Sequence, residues 1–569
     1  MRLRHADNED GFTMVMTVIG TSLLAALALV ALTAVNGDQH LTAHDLSQKQ
    51  AYEAAKAGID DYAYHLHANN SYWIGCDTVD DEAVNPMYAD PSEAPGRRAV
   101  PGVTGAEYAI ELLPATTGKY SQCDTTHATE SMLQSLDPLK GTFRIRSTGF
   151  ANGVERTIVA TFKPASFLDY VYFTQRETSD PRTYGTESII KEAEKTCSKT
   201  IAEGRYNTEI ASKKWCNAIS FVTGDFINGP MHTNDAFVIC GSPTLGASAA
   251  DPVEVSGPPI GWFSTIDIPH SGSTCTGSSS NFKGTLTANS AILTPPPTNS
   301  ELQAIAEPQF RFKGQNRICL SGESMTVMTY LTSNSCASPS EVKYSGTIPA
   351  NGVVYDESGT CSSAYSPFLL SYEVTVPPSE CGNVYLQGNY TGELTVAAAN
   401  DIIVTGNICL ETCSNEPPMK GEGVLGLVAN NFVRIYHPVE LIHPKTKNCA
   451  WKQKNGQWNY ECEEDLTVTE CTGNASSALN GVTIDAAILA IAHSFIVDNY
   501  DCGAKLGTLK VNGAIAQKYR GAVGTGSGEL TGTGYLKSYN YDSRLKYIEP
   551  PSFIEPEKTA WVIGRETLE

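Results

Sequence analysis

The feature that most limits how this chain can fold is an uncharged apolar run near its N-terminus. Residues 13–35 contain no Asp, Glu, Lys or Arg. At a helical rise of about 1.5 Å per residue, a run of this length spans a hydrocarbon core about 30 Å thick. A short polar leader precedes the run, and its Arg2 and Arg4 predict a cytoplasmic N-terminus. The sequence therefore predicts a transmembrane helix.

The helix is predicted to continue beyond the apolar run. Apolar residues recur there at spacings of three and four, which indicates one buried stripe along a helix. They are Tyr52, Ala55, Ile59, Tyr62, Ala63 and Leu66. A cleaved secretory signal peptide is the alternative, but the apolar run is longer than an ordinary signal core and no small-residue cleavage site follows it. The pattern predicts one long helix that packs on a globular head.

The start of this helix resembles the prepilin peptidase site of type IV pilins and type II secretion pseudopilins. Gly11 ends a short charged leader, and Phe12 opens the apolar helix. The resemblance implies that prepilin peptidase cuts between Gly11 and Phe12, and that the new amine is methylated. It also implies that the apolar segment remains as an anchor and assembly interface. The segment Gln50–Gly58 is similar to a stretch near the N-terminus of PilX-like proteins.

One position departs from the family pattern. Most pilins have glutamate at the fifth mature position, where its carboxylate pairs with the amine of a neighbouring subunit's first residue. Here that position is Met16. The resemblance then implies a minor pilin of the PilX or GspK kind, at the tip of a filament.

The cysteines predict a disulfide framework. All 16 lie at or beyond Cys76, outside the N-terminal helix, and their even number is typical of a protein from an oxidising compartment. The sequence leaves their pairing open. Cys409 and Cys413 are the closest pair, but no second such pair or neighbouring histidine completes a tetrahedral zinc site. We therefore predict no metal and no cofactor.

Residues 141–163 predict a β-hairpin. Apolar residues and arginines alternate from Phe143 to Arg146, and Asn152-Gly153 supplies the positive φ angles that a tight turn needs. Residues 106–115 predict a further strand. We expect the long helix to lie across an antiparallel sheet in a small pilin-like α+β unit.

Beyond residue 168 the sequence changes to short segments of small and β-branched residues, with Asn, Asp or Gly at the bends. Three segments share Ala-Asn or Ala-His ahead of an apolar pair, beginning at Ala399, Ala429 and Ala492. Repeated short strands of this kind are typical of a β-solenoid, in which stacking buries the face that one rung cannot bury alone. The segments predict a right-handed parallel β-helix, with a β-sandwich as the alternative.

No catalytic residue is predicted. His232 and Asp235 lie three residues apart at a predicted bend, where local hydrogen bonding is commoner than catalysis. The remaining candidates are histidines without metal-ligand spacing and carboxylates that a polysaccharide-degrading enzyme could cluster. These residues are His437, His443, His493, Asp401, Asp485 and Asp498.

Charge excludes one class of partner. The formal net charge is −22, and no Lys/Arg-rich stretch reverses the sign, so nucleic-acid binding is not expected.

The predicted fold is mainly β, with a long N-terminal transmembrane helix, a small pilin-like α+β unit and a large β-solenoid domain. The predicted boundaries are 1–11 for the leader, 12–36 for the transmembrane and assembly helix, 37–68 for its amphipathic continuation, 69–167 for the pilin-like unit, 168–550 for the β-helix-like extracellular domain and 551–569 for a C-terminal tail.

The predicted function is a minor pilin-like cell-surface subunit at the tip of a type IV pilus or pseudopilus, presenting its disulfide-stabilised head for adhesion or assembly. The expected partners are prepilin peptidase, other pilin subunits, the pilus assembly machinery, the membrane, and a surface receptor or carbohydrate. The expected location is the inner (cytoplasmic) membrane, crossed once, with the large domain outside the cell or in the periplasm. Two alternatives are a membrane-anchored β-helix enzyme acting on extracellular polysaccharide and a signal-anchored structural envelope protein.

Overall fold

A computed structural model describes residues 10–569 apart from 70, 76–96, 117–118, 135–140, 185–186, 207–214, 258–260, 266, 269–274, 278–280, 331–332, 362–378, 415, 443–444, 455–456, 468–469, 528–529 and 558–560. The chain divides into two compact units. The first consists of Met1–Pro164 together with Trp561–Glu569, and the second is Ala165–Ala560.

The helices and strands are numbered in chain order. The helices are α1 (Asp10–Ala68), α2 (Ala128–Met132), α3 (Glu187–Cys197) and α4 (Ser300–Ile305). The strands up to residue 357 are β1 (Arg98–Ala99), β2 (Ala106–Leu113), β3 (Phe143–Ala151), β4 (Val154–Pro164), β5 (Tyr172–Arg176), β6 (Phe221–Val222), β7 (Phe226–Asn228), β8 (Met231–Thr233), β9 (Phe237–Cys240), β10 (Thr244–Leu245), β11 (Pro252–Val255), β12 (Trp262–Ser264), β13 (Thr285–Ala288), β14 (Arg311–Lys313), β15 (Gln315–Gly322), β16 (Ser324–Thr329), β17 (Val342–Thr347) and β18 (Val353–Glu357). The later strands are β19 (Asn383–Tyr390), β20 (Leu394–Ala398), β21 (Ile402–Leu410), β22 (Leu425–Ala429), β23 (Val433–Ile435), β24 (Val439–Ile442), β25 (Lys445–Lys454), β26 (Gln457–Thr467), β27 (Glu470–Asn474), β28 (Val482–Ala490), β29 (Phe495–Val497), β30 (Lys505–Tyr519), β31 (Gly526–Ser527), β32 (Leu530–Thr531), β33 (Gly534–Tyr541) and β34 (Trp561–Leu568).

The first unit is an antiparallel sheet in the order β1-β2-β3-β4-β34, with the second half of α1 packed against it. The predicted hairpin is confirmed, because β3 and β4 pair from Phe143↔Phe162 to Ala151↔Val154. Its turn has positive φ angles of 49° at Asn152 and 80° at Gly153. The strand predicted at residues 106–115 is β2.

Helix α1 lies very close to this sheet. A Cβ atom at Gly149 would overlap the backbone of Ala51 and Ala55, so only glycine fits at that point of β3. The Ser147 hydroxyl donates to the carbonyl oxygen of Ala55 at 2.8 Å. The predicted apolar stripe is confirmed at its centre, since Ile59 and Tyr62 are almost completely buried. Close backbone approach therefore accompanies side-chain burial in this unit.

The C-terminal strand completes the same sheet. β34 pairs antiparallel with β4 from Trp561↔Pro164 to Leu568↔Ile158. The whole of the second unit therefore lies, in sequence, between two neighbouring strands of the first.

The second unit is built around one 20-stranded sheet, in which most neighbouring strands are parallel. The three segments with the shared Ala-Asn or Ala-His pattern lie side by side in it. Ile402 pairs with Val433, which in turn pairs with Phe495. The side chains of these residues belong to one continuous apolar core that extends through the sheet.

Two predictions about the fold are wrong. Within the ranges that the structure describes, no helix is long and apolar enough to cross a membrane, so the transmembrane helix predicted at 12–36 and the single-pass location are not supported. The right-handed parallel β-helix is also contradicted, because the sheet includes the antiparallel strands β15, β16 and β17 and does not close into a solenoid. A repeated strand pattern predicts neighbouring strands, but it does not determine whether the sheet closes.

Candidate functional site

The first half of α1 presents an apolar helix surface, which we define as residues 14–29. Gly11 and Phe12 belong to α1, and their side chains are outside the described part. Every side chain from 14 to 29 is exposed, including Met16 at 56% and Leu24 at 67%. A contiguous apolar surface of this kind on a protein marks a site of interaction.

The few polar side chains on this surface are satisfied within the helix. The Thr21 hydroxyl donates to the carbonyl oxygen of Thr17 at 2.8 Å, and the Ser22 hydroxyl donates to that of Val18 at 2.7 Å. Residues 14–29 include no charged residue. The surface therefore offers apolar contact to a partner rather than charge pairing.

The second half of α1 is fixed to the sheet of the first unit by a polar contact at the edge of that sheet. The Tyr108 hydroxyl donates to Asp61 Oδ2 at 3.0 Å, and the Arg98 guanidinium lies 3.4 Å from the same oxygen. Burial, assisted by the negative charge of Asp61, raises the pKa of Tyr108 to about 12. Tyr108 therefore remains a hydrogen-bond donor at neutral pH and keeps the helix in place.

His232 and Asp235 contact different partners. His232 Nδ1 lies 2.9 Å from Glu254 Oε2, and its Nε2 lies 3.2 Å from Asn234 Oδ1. Asp235 instead forms a fully buried ion pair with Arg205. Each side chain is thus satisfied by a different partner.

Two of the three candidate carboxylates meet around one arginine. Arg434 Nε lies 3.1 Å from Asp401 Oδ2, and Arg434 Nη1 lies 2.9 Å from both carboxylate oxygens of Asp498. All three residues are buried, and this burial raises the pKa of both carboxyl groups despite the arginine. Arg434 is not among the residues predicted from the sequence, although an arginine between Val433 and Ile435 in an apolar strand signals a buried ion pair.

Asp485 lies apart from this cluster. Its carboxylate accepts hydrogen bonds from the Leu410 backbone N–H at 2.9 Å and from Asn512 Nδ2 at 2.8 Å. Asn512 Oδ1 in turn accepts from Asn540 Nδ2 at 3.0 Å, so polar side chains in register form a ladder across three parallel strands. Burial raises the pKa of Asp485 to about 6.

The remaining histidines are also held in local contacts. His437 Nδ1 lies 2.9 Å from the carbonyl oxygen of Asp498, and His493 Nδ1 lies 3.1 Å from Asp180 Oδ1. His443 lies outside the described residues. Among the residues with described positions, no three His, Cys, Asp or Glu side chains are placed to hold a metal ion.

The disulfide prediction is confirmed in the second unit. Among the described residues, six bridges join cysteines that are consecutive along the chain, and one of them closes the Cys409–Cys413 pair, the candidate for a zinc site. The bridges are Cys197–Cys216, Cys240–Cys275, Cys319–Cys336, Cys361–Cys381, Cys409–Cys413 and Cys471–Cys502.

Comparison with known proteins finds distant structural similarity. No protein-family model and no curated protein sequence matches the chain. Among solved structures, the crystal structure of the competence-associated pilin ComZ from Thermus thermophilus matches with 12% sequence identity and a TM-score of 0.26. The match covers 92% of this chain and 98% of that chain. That structure is of a pilin, but similarity at this level identifies neither the fold nor the function of the present chain.

Proposed function

We propose that the chain is a pilin-like cell-surface subunit whose first helix half packs against the helices of other pilin subunits. The second unit is presented for adhesion or assembly. The observation that carries this proposal is helix α1 itself. It contains the Gly11-Phe12 motif, exposes only uncharged side chains from 14 to 29, and is buried against an antiparallel sheet in its second half.

The occupant of the apolar helix surface follows from its geometry. The surface runs along the helix from residue 14 to residue 29, about 24 Å at a rise of about 1.5 Å per residue, so a partner must itself be elongated to cover it. Another helix with apolar residues at helical spacing meets that requirement, because ridges of side chains on one helix fit into grooves on the other. The N-terminal helices of other pilin subunits have this form.

The proposal places the subunit at a filament tip. Met16 provides no carboxylate for the amine of a neighbouring subunit. The second unit extends from Ala165 to Ala560, and repeated copies of a unit of this size would obstruct helical packing along a shaft. A single copy at the end of a filament does not need that carboxylate and does not obstruct the packing of a shaft.

We propose a binding role rather than a catalytic one for the second unit. Asp401 and Asp498 are buried and paired with Arg434, so they do not face a substrate groove. The candidate histidines that the structure describes are likewise engaged by neighbouring groups.

A photo-crosslinking residue at position 24 is expected to link this chain to other pilin subunits in living cells. Leu24 is 67% exposed at the centre of the apolar helix surface, so a partner helix covers it in an assembled filament. The measurement is the mass and identity of adducts formed on irradiation. The matched control is the same residue at Val103, which is 48% exposed in the loop between β1 and β2. Absence of pilin adducts at position 24, or equal adducts at both positions, would contradict the proposal.

A further inference from the structure

The second unit carries a groove of about 510 Å³ on its surface. This volume lies in the range of small-molecule binding sites. Side chains from β15, β16, β19 and β21 line it, together with the Cys319–Cys336 disulfide. Its lining residues include Leu320, Ser321, Thr326, Met328, Gln387 and Asn407.

An irregularity in strand pairing builds the groove. β19 and β21 pair at Leu386↔Val404 and next at Gly388↔Ile408, so three residues of β21 lie opposite one residue of β19. Such a bulge redirects side chains and is common beside binding sites. Gly388 has φ +121°, and a Cβ atom there would overlap the backbone of Leu320. Glycine therefore allows the strands to stay close where the register changes.

The polar side chains of the groove are oriented by further contacts. Gln387 Nε2 donates to the carbonyl oxygen of Asn334 at 2.8 Å and lies 3.0 Å from Cys336 Sγ. Asn407 Oδ1 accepts from the Thr483 backbone N–H at 2.9 Å, which fixes the plane of its amide. The disulfide ties the loop that carries Asn334 and Cys336 to β15. The site is thus formed before any ligand arrives.

The chemistry of the lining selects an uncharged ligand. Two hydroxyl groups (Ser321 and Thr326) and two amides (Gln387 and Asn407) lie beside the aliphatic and sulfur surfaces of Met328 and the disulfide. None of the lining residues is Asp, Glu, Lys or Arg. The net charge of −22 opposes an acidic ligand, and a cationic ligand would lack a carboxylate to pair with.

We propose that this groove binds a neutral oligosaccharide. Hydroxyl and amide groups exchange hydrogen bonds with sugar hydroxyls, while the apolar surface packs against the C–H face of a sugar ring. The inference deepens the adhesive role proposed above by naming its ligand class. It rests on groove chemistry alone, so a chain that binds sugar but joins no filament would keep this inference and lose the pilin proposal.

The test uses the purified full chain and a panel of neutral hexasaccharides, namely cellohexaose, mannohexaose and maltohexaose, with hexagalacturonate as the acidic comparison. We expect at least one neutral probe to bind and the acidic probe not to bind. T326E places a charge inside the groove and is expected to weaken that binding by about tenfold or more, since one lost polar contact changes affinity on this scale.

The matched control is S300E, which adds the same charge at the exposed first residue of α4, outside the groove. It is expected to leave binding unchanged. If T326E fails to fold, S321W fills the groove from an exposed position. It is expected to weaken binding of the neutral probe to the same extent as T326E. The inference is overturned if no neutral probe binds or if the acidic probe binds as well. Equal binding by a folded groove variant and the wild-type chain also overturns it.

Discussion

Deleting residues 561–569 is expected to unfold the first unit and leave the second unit folded. The deletion removes β34, which pairs with β4 over Ile158–Pro164. It also removes the buried Trp561, whose ring centroid lies 4.7 Å from that of Phe143 and 5.8 Å from that of Trp73. The ion pair between Arg146 and Glu569 (Nε to Oε2, 2.8 Å) is lost as well. The second unit has its own apolar core, so its transition should remain.

W561A alone should lower the free energy of unfolding of the first unit by about 3–5 kcal/mol, the usual cost of removing a buried tryptophan. Calorimetry of the full chain, which resolves the transitions of separate units, measures the change. L568A is the matched control on the same strand, because Leu568 is 67% exposed and its truncation should cost less than about 0.5 kcal/mol. Equal effects of the two substitutions would show that β34 does not complete the sheet.

R434M is expected to destabilise the second unit by about 3–5 kcal/mol near neutral pH. The guanidinium of Arg434 is the group that offsets the burial of Asp401 and Asp498, and methionine leaves both carboxylates without it. Their pKa values are already raised in the folded chain by burial, and the substitution raises them further. Urea unfolding of the second unit measures the loss.

The loss of stability caused by R434M should increase as the pH rises. A carboxyl group with a raised pKa holds its proton in the folded chain at a pH where the unfolded chain has released it. Stability is therefore present at low pH and lost as pH rises through the folded pKa values. The destabilisation should be smaller near pH 4 than near pH 7, and D498N in the R434M background should recover part of it. A cost independent of pH would contradict the assignment of a buried charge cluster.

The sequence predicts the first unit better than the second. Alternation around Asn152-Gly153 predicts the hairpin because its turn and register are local. The apolar stripe through Ile59 and Tyr62 is also a local pattern, so it predicts which face of α1 is buried. The pairing of β4 with β34 joins residues about four hundred positions apart, and no local pattern indicates it.

In the second unit, the sequence predicts which segments become neighbours but not the form of the sheet. The segments at Ala399, Ala429 and Ala492 pair as expected because they share one pattern of small and apolar residues. The antiparallel strands β15–β17 interrupt that pattern, and closure of a sheet depends on contacts that no single segment encodes. The groove was not predicted, because it depends on a register change between β19 and β21 that is visible only once the strands are paired.

The N-terminal residue of the mature chain tests the central claim most directly. The chain is recovered from the cell envelope, and its intact mass and N-terminal sequence are determined, with G11L as a variant that blocks the proposed cut. A pilin-like subunit starts at Phe12 with a methylated amine, and the G11L variant retains its leader. A start at Met1 in the wild-type chain, or a start beyond residue 35, would contradict the pilin-like assignment.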